Sequence, residues 1–267
     1  MENQIKNNET YLSRMRKTFY DKAWFMTIIP PDVETIVDFG CADGAFMQFL
    51  KGAYPEYKYI GIENNAEFAQ LCEQKGISCY GSLLKLCSSA SINPETTLLV
   101  LNSVMHEVYS YGNQITFWRD IKVFNPKYIA FRDMYVRNCG EYGSRIEQDF
   151  ENAIKGNFME KHYHDFVRVW GNLKDGYTAA HFLYKYFYDE NWDREVEENY
   201  IPFHYRELHT KIRNAGYNIT FERFYGLPYL KEKWHADFNC DEHPQLKTFV
   251  DRLTTHLKLF LVRGFDS

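Results

Sequence analysis

Two glycines and two acidic residues lie close together between positions 37 and 44, in the stretch Val-Asp-Phe-Gly-Cys-Ala-Asp-Gly. Gly40 permits a tight turn and a close approach to a ligand because it has no Cβ, and Gly44 permits the same where a helix begins. Asp38 and Asp43 would repel the pyrophosphate of a dinucleotide, whose usual fingerprint is G-x-G-x-x-G. They suit a ligand with a cationic amino-acid end, since a carboxylate accepts hydrogen bonds from an ammonium group.

A third carboxylate follows at a characteristic distance. Glu63 lies 19 residues after Gly44, at the predicted end of a second strand. A carboxylate at this place in a nucleoside-binding sheet accepts hydrogen bonds from the ribose hydroxyls. The spacing therefore predicts that Glu63 binds the ribose of the same ligand.

Short apolar segments alternate with helical patterns through the first half of the chain. Strands are predicted at Thr35–Phe39, Lys58–Glu63, Ile77–Tyr80, Thr96–Leu101 and Lys127–Phe131, and helices at Gly44–Ala53, Asn65–Lys75 and much of Val104–Val123. This alternation is typical of a parallel sheet with helices on both faces. Such a sheet binds ligands at the carboxyl ends of its strands, where the glycine-containing stretch lies.

The second half of the chain has a different pattern. Residues 140–215 indicate several helices and no strong strand, and strands return at Tyr217–Phe224 and His256–Val262, separated by a long loop that contains Gly226, Pro228 and Pro244. We therefore expect an α/β fold, a doubly wound and mostly parallel sheet, with a helical insertion before its last two strands.

Four parts of the chain are predicted on this basis: an N-terminal helical lid (1–31), a cofactor-binding core (32–139), a helical, aromatic-rich substrate insertion (140–215) and C-terminal strands that complete the core sheet (216–267). The first part has an amphipathic helical pattern over residues 9–28, which Pro30-Pro31 ends. Two interpretations stay open for that helix: packing on the core, or a lid over a nearby ligand pocket.

With these features assembled, the sequence resembles the class I S-adenosylmethionine (SAM)-dependent methyltransferases. The first motif of that family, (D/E)-x-G-x-G-x-G, matches residues 38–44 with Ala42 in place of the middle glycine. The family's acidic residue after the second strand falls on Glu63. Many members also carry an acidic residue after the third strand, where this chain has Ser82 instead. The resemblance covers roughly residues 32–135 and 215–265.

The resemblance implies SAM as cofactor and a seven-stranded, Rossmann-like sheet with an antiparallel last strand. The cofactor-binding residues that it implies are Asp38, Gly40, Cys41, Gly44, Phe46, Glu63, Asn64, Gly81, Ser82, Leu83, Asn102 and Ser103. The chain is therefore expected to be an enzyme, a methyltransferase.

Candidate catalytic side chains follow the fourth and fifth strands. Methyl transfer to oxygen or nitrogen needs in-line positioning and often a base near the acceptor atom. His106 is the best candidate for that base, with Glu107 beside it, and the alternative is that His106 caps or packs its helix. Arg132 and Asp133 leave the next strand on the same rim, where they orient a polar substrate or pair with each other.

The acceptor is less well defined. The N/D-P-P-Y/F motif of enzymes that methylate nucleobase amino groups is absent, and so is the Pro-Cys pair of cytosine C5 enzymes. Residues 141–212 contain 9 Lys or Arg and 14 Asp or Glu, so this segment accounts for the whole net charge of −5 and does not suit a phosphate backbone. A small molecule is the favoured acceptor, and an RNA or a protein is the runner-up.

Two other functions compete with catalysis of methyl transfer. The first alternative is a SAM-binding regulatory subunit without catalysis, and the second is a dinucleotide oxidoreductase. The aromatic residues, which are densest between Phe158 and Trp192, are expected to serve packing in most cases and a substrate wall in a few.

The remaining composition indicates a cytoplasmic protein that spans no membrane. The longest apolar stretches fall far short of the roughly 20 residues that cross a bilayer, and the N-terminus shows no secretory signal. The six cysteines form no C-x-x-C pair and no zinc-like spacing. His162 and His164 lie two residues apart in a region predicted to be helical, where they face different ways, and His106-Glu107 lacks further ligands, so no metal site is predicted. Nothing in the sequence indicates the oligomeric state.

Overall fold

The computed structural model of the chain describes residue 16, residues 18–137 and residues 144–264. A seven-stranded sheet has the order β3-β2-β1-β4-β5-β7-β6. Its strands are β1 (Thr35–Phe39), β2 (Lys58–Ile62), β3 (Ser78–Tyr80), β4 (Thr97–Asn102), β5 (Tyr128–Met134), β6 (Tyr217–Tyr225) and β7 (His256–Arg263). Strands β1 to β5 are parallel and β7 is antiparallel, which confirms the predicted fold class.

Helices connect these strands. They are α1 (Phe19–Lys22), α2 (Ala45–Ala53), α3 (Ala66–Gln74), α4 (Leu83–Ser89), α5 (Met105–Ser110), α6 (Gln114–Phe124), α7 (Ser144–Ile154), α8 (Glu160–Trp170), α9 (Gly176–Lys185), α10 (Trp192–Glu195), α11 (Tyr205–Asn214), α12 (Pro228–Asp237) and α13 (Pro244–Arg252). Short 3₁₀ helices lie at Ala23–Thr27, Pro94–Thr96, Asp189–Asn191 and Cys240–Glu242. None of the described helices combines the length and apolar character needed to cross a membrane.

The centre of the sheet is apolar because its strands are covered on both faces. Every residue of β4 is buried, and β4 lies next to both β1 and β5. The chain winds outward from β1 to β2 and β3 on one side and from β4 to β5 on the other. The carboxyl ends of β1 and β4 therefore flank the point where the strand order reverses, which is where open α/β sheets bind ligands.

Two local predictions differ from the structure. The segment predicted as a long loop after β6 contains α12 and α13, each with a proline in its first turn. Proline is accommodated there because the first backbone N–H groups of a helix have no partner within the helix, so these prolines begin helices rather than prevent them. Helix α4 was not predicted, although Ser82 caps its first turn by accepting a hydrogen bond from Lys85 N at 3.2 Å.

The chain divides into two units. Of the described residues, the sheet unit contains those up to Asp133, Phe203–Arg223 and those from Lys258 to Gly264, and the helical unit contains the others from Met134 to Pro202 together with Phe224–Leu257. The predicted four-part division places its boundaries elsewhere and stays a prediction. Of the predicted N-terminal helix over 9–28, residues 9–15 and 17 lie outside the described part of the chain.

The helical unit has its own apolar core, to which most of the aromatics between residues 158 and 192 belong. Phe166, Phe182 and Tyr186 are fully buried in it together with Trp234 and Phe238. Phe158 and Tyr177 are exposed exceptions. Packing within this unit therefore accounts for most of the aromatic density, as expected.

Candidate functional site

The loop between β1 and α2 adopts a backbone that requires glycine at its first turn. Gly40 has φ +74°, and a Cβ at this position would lie 2.7 Å from Cγ2 of Val104. The amides of Gly40 and Cys41 donate to the carbonyl oxygen of Ile62 at 2.8 and 3.1 Å. Ala42, at the family's middle glycine, also has a positive φ of +48°. The loop thus has positive φ at both Gly40 and Ala42.

Glu63 connects this loop to the segment that follows β2. Its Oε2 accepts a hydrogen bond from Ala42 N at 3.0 Å, and its Oε1 accepts one from Asn65 N at 2.8 Å. Burial raises the pKa of Glu63, and the two backbone donors oppose that shift. Since a carboxylate offers about four lone-pair positions, both oxygens retain capacity for ribose hydroxyls.

A recess lies at the carboxyl end of β1 within the sheet unit. It encloses about 340 Å³, open solvent at its mouth included. It is lined by Arg16, Phe19, Lys22, Asp38, Gly40, Cys41, Asp43, Phe46 and Asn102. The lining therefore contains two cations, Arg16 and Lys22, and two carboxylates, Asp38 and Asp43. An amino-acid zwitterion requires both kinds of charge in its binding site.

Asp38 and Lys22 are buried charges of the recess, as is Asp43. Burial raises the pKa of Asp38 to about 7, against the favourable field of Lys22, and the nearby Glu63 raises it further. Burial lowers the pKa of Lys22 to about 8, with a contribution from the positive charge of Arg132. Both groups thus titrate near neutral pH, a property typical of functional sites.

Asn102, the last residue of β4, provides a polar atom that the protein leaves unused. Its side chain is buried, and its Nδ2 donates weakly to the carbonyl oxygen of Lys22 at 3.4 Å. Its Oδ1 is buried and has no hydrogen-bond partner among the residues that the structure describes. Because an unsatisfied buried acceptor costs about 1–3 kcal/mol, a donor supplied by a ligand explains its place in the recess. The ammonium group of SAM is such a donor, so the residues fit this cofactor.

Asp43 serves the loop itself. Its Oδ1 accepts a hydrogen bond from Ala45 N at 3.1 Å, at the start of α2, and its Oδ2 accepts one from Lys75 Nζ at 3.0 Å. Arg16 approaches the same carboxylate at 3.5 Å. Asp43 therefore anchors the loop to α3, and Arg16 brings a second cation to the mouth of the recess.

His106 and Asp133 form a buried dyad at the carboxyl ends of β4 and β5. Nδ1 of His106 lies 2.8 Å from Oδ1 of Asp133. Oδ2 of Asp133 accepts hydrogen bonds from the amides of Met105 and His106 at 2.8 and 3.3 Å, which satisfies the first turn of α5. The carboxylate thus holds the imidazole by its Nδ1 atom, so Nε2 is the basic nitrogen of the neutral ring.

Arg132 belongs to a second polar network on the same rim. Its NH1 donates to Oγ of Ser103 at 2.5 Å, and its Nε donates to Oδ2 of Asp21 at 2.7 Å. Lys258 donates to the other oxygen of Asp21 at 2.6 Å. Ser103 has φ +54° and turns the chain between β4 and α5. This network connects α1 to the strand ends that carry the dyad.

The other predicted site residues have less specific positions. Phe46 is buried beside the recess, Asn64 is exposed after β2, and Glu107 is half-buried in the first turn of α5. Gly81 follows β3, Ser82 caps α4, and the Leu83 side chain is buried in the core. The last three therefore follow the strand whose final residue, Tyr80, accepts a hydrogen bond from Glu63 N, and none of them offers an acidic group to a nucleobase. The role of every predicted site residue stays a prediction.

Sequence reasoning missed the cations of the recess. Lys22 lies on α1 and Arg16 shortly before it, in a segment that the sequence indicated only as an amphipathic helix. No spacing rule relates Lys22 to Asp38, since they meet through the packing of α1 over the sheet. The one available signal was the interpretation of this helix as a lid over a ligand pocket.

Comparison with solved structures finds methyltransferases of low sequence identity. The chain is similar to a SAM-dependent methyltransferase from Archaeoglobus fulgidus, with a TM-score of 0.50 and 12% identity over 95% of this chain and 100% of that one. It is also similar to the plantazolicin methyltransferase BpumL in complex with a monoazolic desmethylPZN analogue and SAH, with a TM-score of 0.50 and 10% identity over 97% of this chain and 87% of that one. No protein-family model and no curated protein matches the sequence. The sheet order and these similarities show that the chain has the class I SAM-dependent methyltransferase fold.

Proposed function

We propose that the chain is a SAM-dependent methyltransferase that methylates an oxygen or nitrogen atom of an acceptor, with a small molecule as the favoured acceptor. Bound SAM supplies an electrophilic methyl group. The protein then has two tasks, which are to hold the cofactor and acceptor in line and to accept the proton that the acceptor loses.

The observation that carries the proposal is Oδ1 of Asn102, which lies in the recess and is unpartnered within the described part of the chain. Together with the Asp38 carboxylate it offers two acceptors to an ammonium group. Lys22 and Arg16 offer donors to a carboxylate in the same recess. The methionyl end of SAM carries both of these groups, whereas a pyrophosphate would be repelled by the acids.

The proposed base is His106. With the proton of the neutral ring on Nδ1 and directed at Asp133, Nε2 accepts the proton that leaves the acceptor oxygen or nitrogen. The Asp133 carboxylate then stabilises the imidazolium, because it is buried and within hydrogen-bond distance. Asp133 acts through His106 and is therefore a positioning residue.

The choice of acceptor rests on the net charge of residues 141–212 and on a solved structure of similar fold. The acidic excess of residues 141–212 does not favour a nucleic-acid backbone. A structural neighbour at a TM-score of 0.50 is a plantazolicin methyltransferase bound to an analogue of that compound. An RNA or protein acceptor, or SAM binding without catalysis, is the alternative.

Calorimetry with S-adenosylhomocysteine (SAH) and with NAD tests the cofactor assignment. We expect binding of SAH and none of NAD, and binding of NAD alone would overturn the proposal. Asp38→Ala and Glu63→Ala are each expected to abolish SAH binding in a folded protein, whereas Glu73→Ala, an exposed carboxylate on α3, is expected to retain it. Formation of SAH from SAM with candidate acceptors separates the enzyme from a non-catalytic SAM-binding subunit.

A further inference from the structure

Three cysteines that are distant in sequence meet beneath the loop after β1. Cys41 belongs to that loop, Cys72 to α3 and Cys79 to β3. Sγ of Cys41 lies 3.8 Å from Sγ of Cys72 and 3.9 Å from Sγ of Cys79, and all three sulfur atoms lie within 4.8 Å of one another. We propose that these three cysteines form a binding site for one soft, thiophilic metal ion of the zinc, cadmium or copper(I) class.

The sulfur separations match those of metal thiolates. A tetrahedral ion with metal–sulfur bonds of about 2.3 Å separates its sulfur ligands by about 3.8 Å. The two distances from Cys41 already have this value, so an ion can be bound with little rearrangement. Soft ions of this class prefer thiolate ligands over the carboxylates nearby.

Two glycines leave the space around the sulfur atoms. A Cβ at Gly61 would lie 2.5 Å from Sγ of Cys41 and 3.3 Å from Sγ of Cys72. A Cβ at Gly44 would lie 2.7 Å from Sγ of Cys72. The cluster therefore depends on the absence of side chains at both positions, in β2 and at the start of α2.

Access from solvent and the balance of protons also suit an ion. Cys41 and Cys72 are buried, but Cys79 is half-exposed and provides a route from solvent. Binding of a divalent ion forms three metal–sulfur bonds, breaks three S–H bonds and releases the protons to water, with no oxidant or reductant required.

The alternative is that the thiols are packed as small apolar groups. To distinguish the two, Cys87 and Cys139 are replaced by Ser, and the fully reduced protein is titrated with Cd(II) alone under anaerobic conditions. We expect binding of one equivalent with an ultraviolet thiolate-to-cadmium charge-transfer band, proton release and a higher unfolding temperature.

Variants identify the ligands. Cys79→Ala removes a half-exposed thiol, so the protein stays folded, and it is expected to weaken Cd(II) binding by at least about 100-fold. Cys240→Ala, in the helical unit, is the matched control and is expected to retain binding, with unfolding of each metal-free variant measured alongside. Absence of stoichiometric binding in the parent protein, or equal affinity in Cys79→Ala, would overturn the proposal.

Discussion

Nδ1 of His106 lies 2.8 Å from Oδ1 of Asp133, while Oδ2 of that carboxylate accepts hydrogen bonds from the first two backbone amides of α5. One buried carboxylate thus orients the imidazole ring and begins the helix that carries it. The alternatives considered for His106, a helix-packing role or a base, are compatible in this arrangement, because Asp133 holds the ring through Nδ1.

The dyad predicts non-additive kinetics. Asp133→Asn keeps the shape of the side chain but no longer stabilises an imidazolium, so we expect kcat to fall by roughly 100-fold or more, with SAH affinity changed by less than about threefold. His106→Ala should have a similar effect, and the double variant should be no slower than His106→Ala alone. Steady-state kinetics and calorimetry measure both quantities. Independent, multiplying effects would show that the two residues do not act as a unit.

Asn102→Leu tests the unused acceptor of the recess. Since a hydrogen bond to a charged group contributes about 1.5–3 kcal/mol, SAH affinity is expected to fall by roughly 10- to 100-fold. The unfolding temperature of the free protein should change little, because the substitution also removes an unsatisfied buried oxygen. Asn113→Ala, which removes the cap of α6, is the opposite control: it should cost about 1 kcal/mol of stability and leave SAH affinity unchanged. An Asn102→Leu protein that is less stable but binds SAH with unchanged affinity would contradict the assignment.

Affinity for SAH should depend on pH through Asp38. Its pKa in the free protein is about 7, so below that value the ligand's ammonium must displace a proton and affinity rises with pH, by up to tenfold per unit. Lys22, with a pKa of about 8, loses its charge above that value and its attraction for the ligand's carboxylate with it. We expect an affinity maximum between about pH 7 and 8 in calorimetric titrations. Asp38→Asn should bind weakly and lack the acidic limb, and persistence of that limb would assign it to another group.

The same shifts set the sign of the stability changes. Folded Asp38 holds a proton that the unfolded chain loses between its ordinary pKa and about 7, so its contribution to the free energy of unfolding falls as pH rises through that window. Lys22 has the opposite sign: between about 8 and its ordinary value the unfolded chain binds more protons, so its contribution rises with pH. Urea unfolding of the Asp38→Asn protein should lack the first of these changes.

Two glycine substitutions compare a position that is closely surrounded by other atoms with one that is not. Gly61→Ala would place a methyl group 2.5 Å from Sγ of Cys41 and is expected to cost about 1–3 kcal/mol of stability. Gly52→Ala, in α2, meets no atom of a described residue within 4 Å and should stabilise the protein by about 0.5–1 kcal/mol. Chemical denaturation of both variants measures the difference. Equal effects would mean that the packing around the cysteine cluster adapts freely.

The sequence by itself determined the features that depend on neighbouring residues. Strand β1 has the predicted bounds, and α2 begins one residue later than predicted, with Gly44 as its cap. Strand and helix periodicity and the turn at Gly40 are local properties, so they can be predicted from a short window. The alternation of these elements was sufficient to predict a parallel sheet and the edge where its ligand site lies.

The tertiary structure alone decided which side chains meet. His106 and Asp133 are 27 residues apart and become partners because β4 and β5 are adjacent and parallel, with Asn102 in register with Arg132. Cys41, Cys72 and Cys79, which have no recognisable spacing, converge for the same kind of reason. The pairing of strands and the packing of α1 bring together residues that are distant in the chain, and the energies that select such pairings are summed over the whole core. No local pattern contains that sum, so the burial of Asp38 with Lys22, the unpartnered oxygen of Asn102 and the sulfur cluster are visible only in the folded protein.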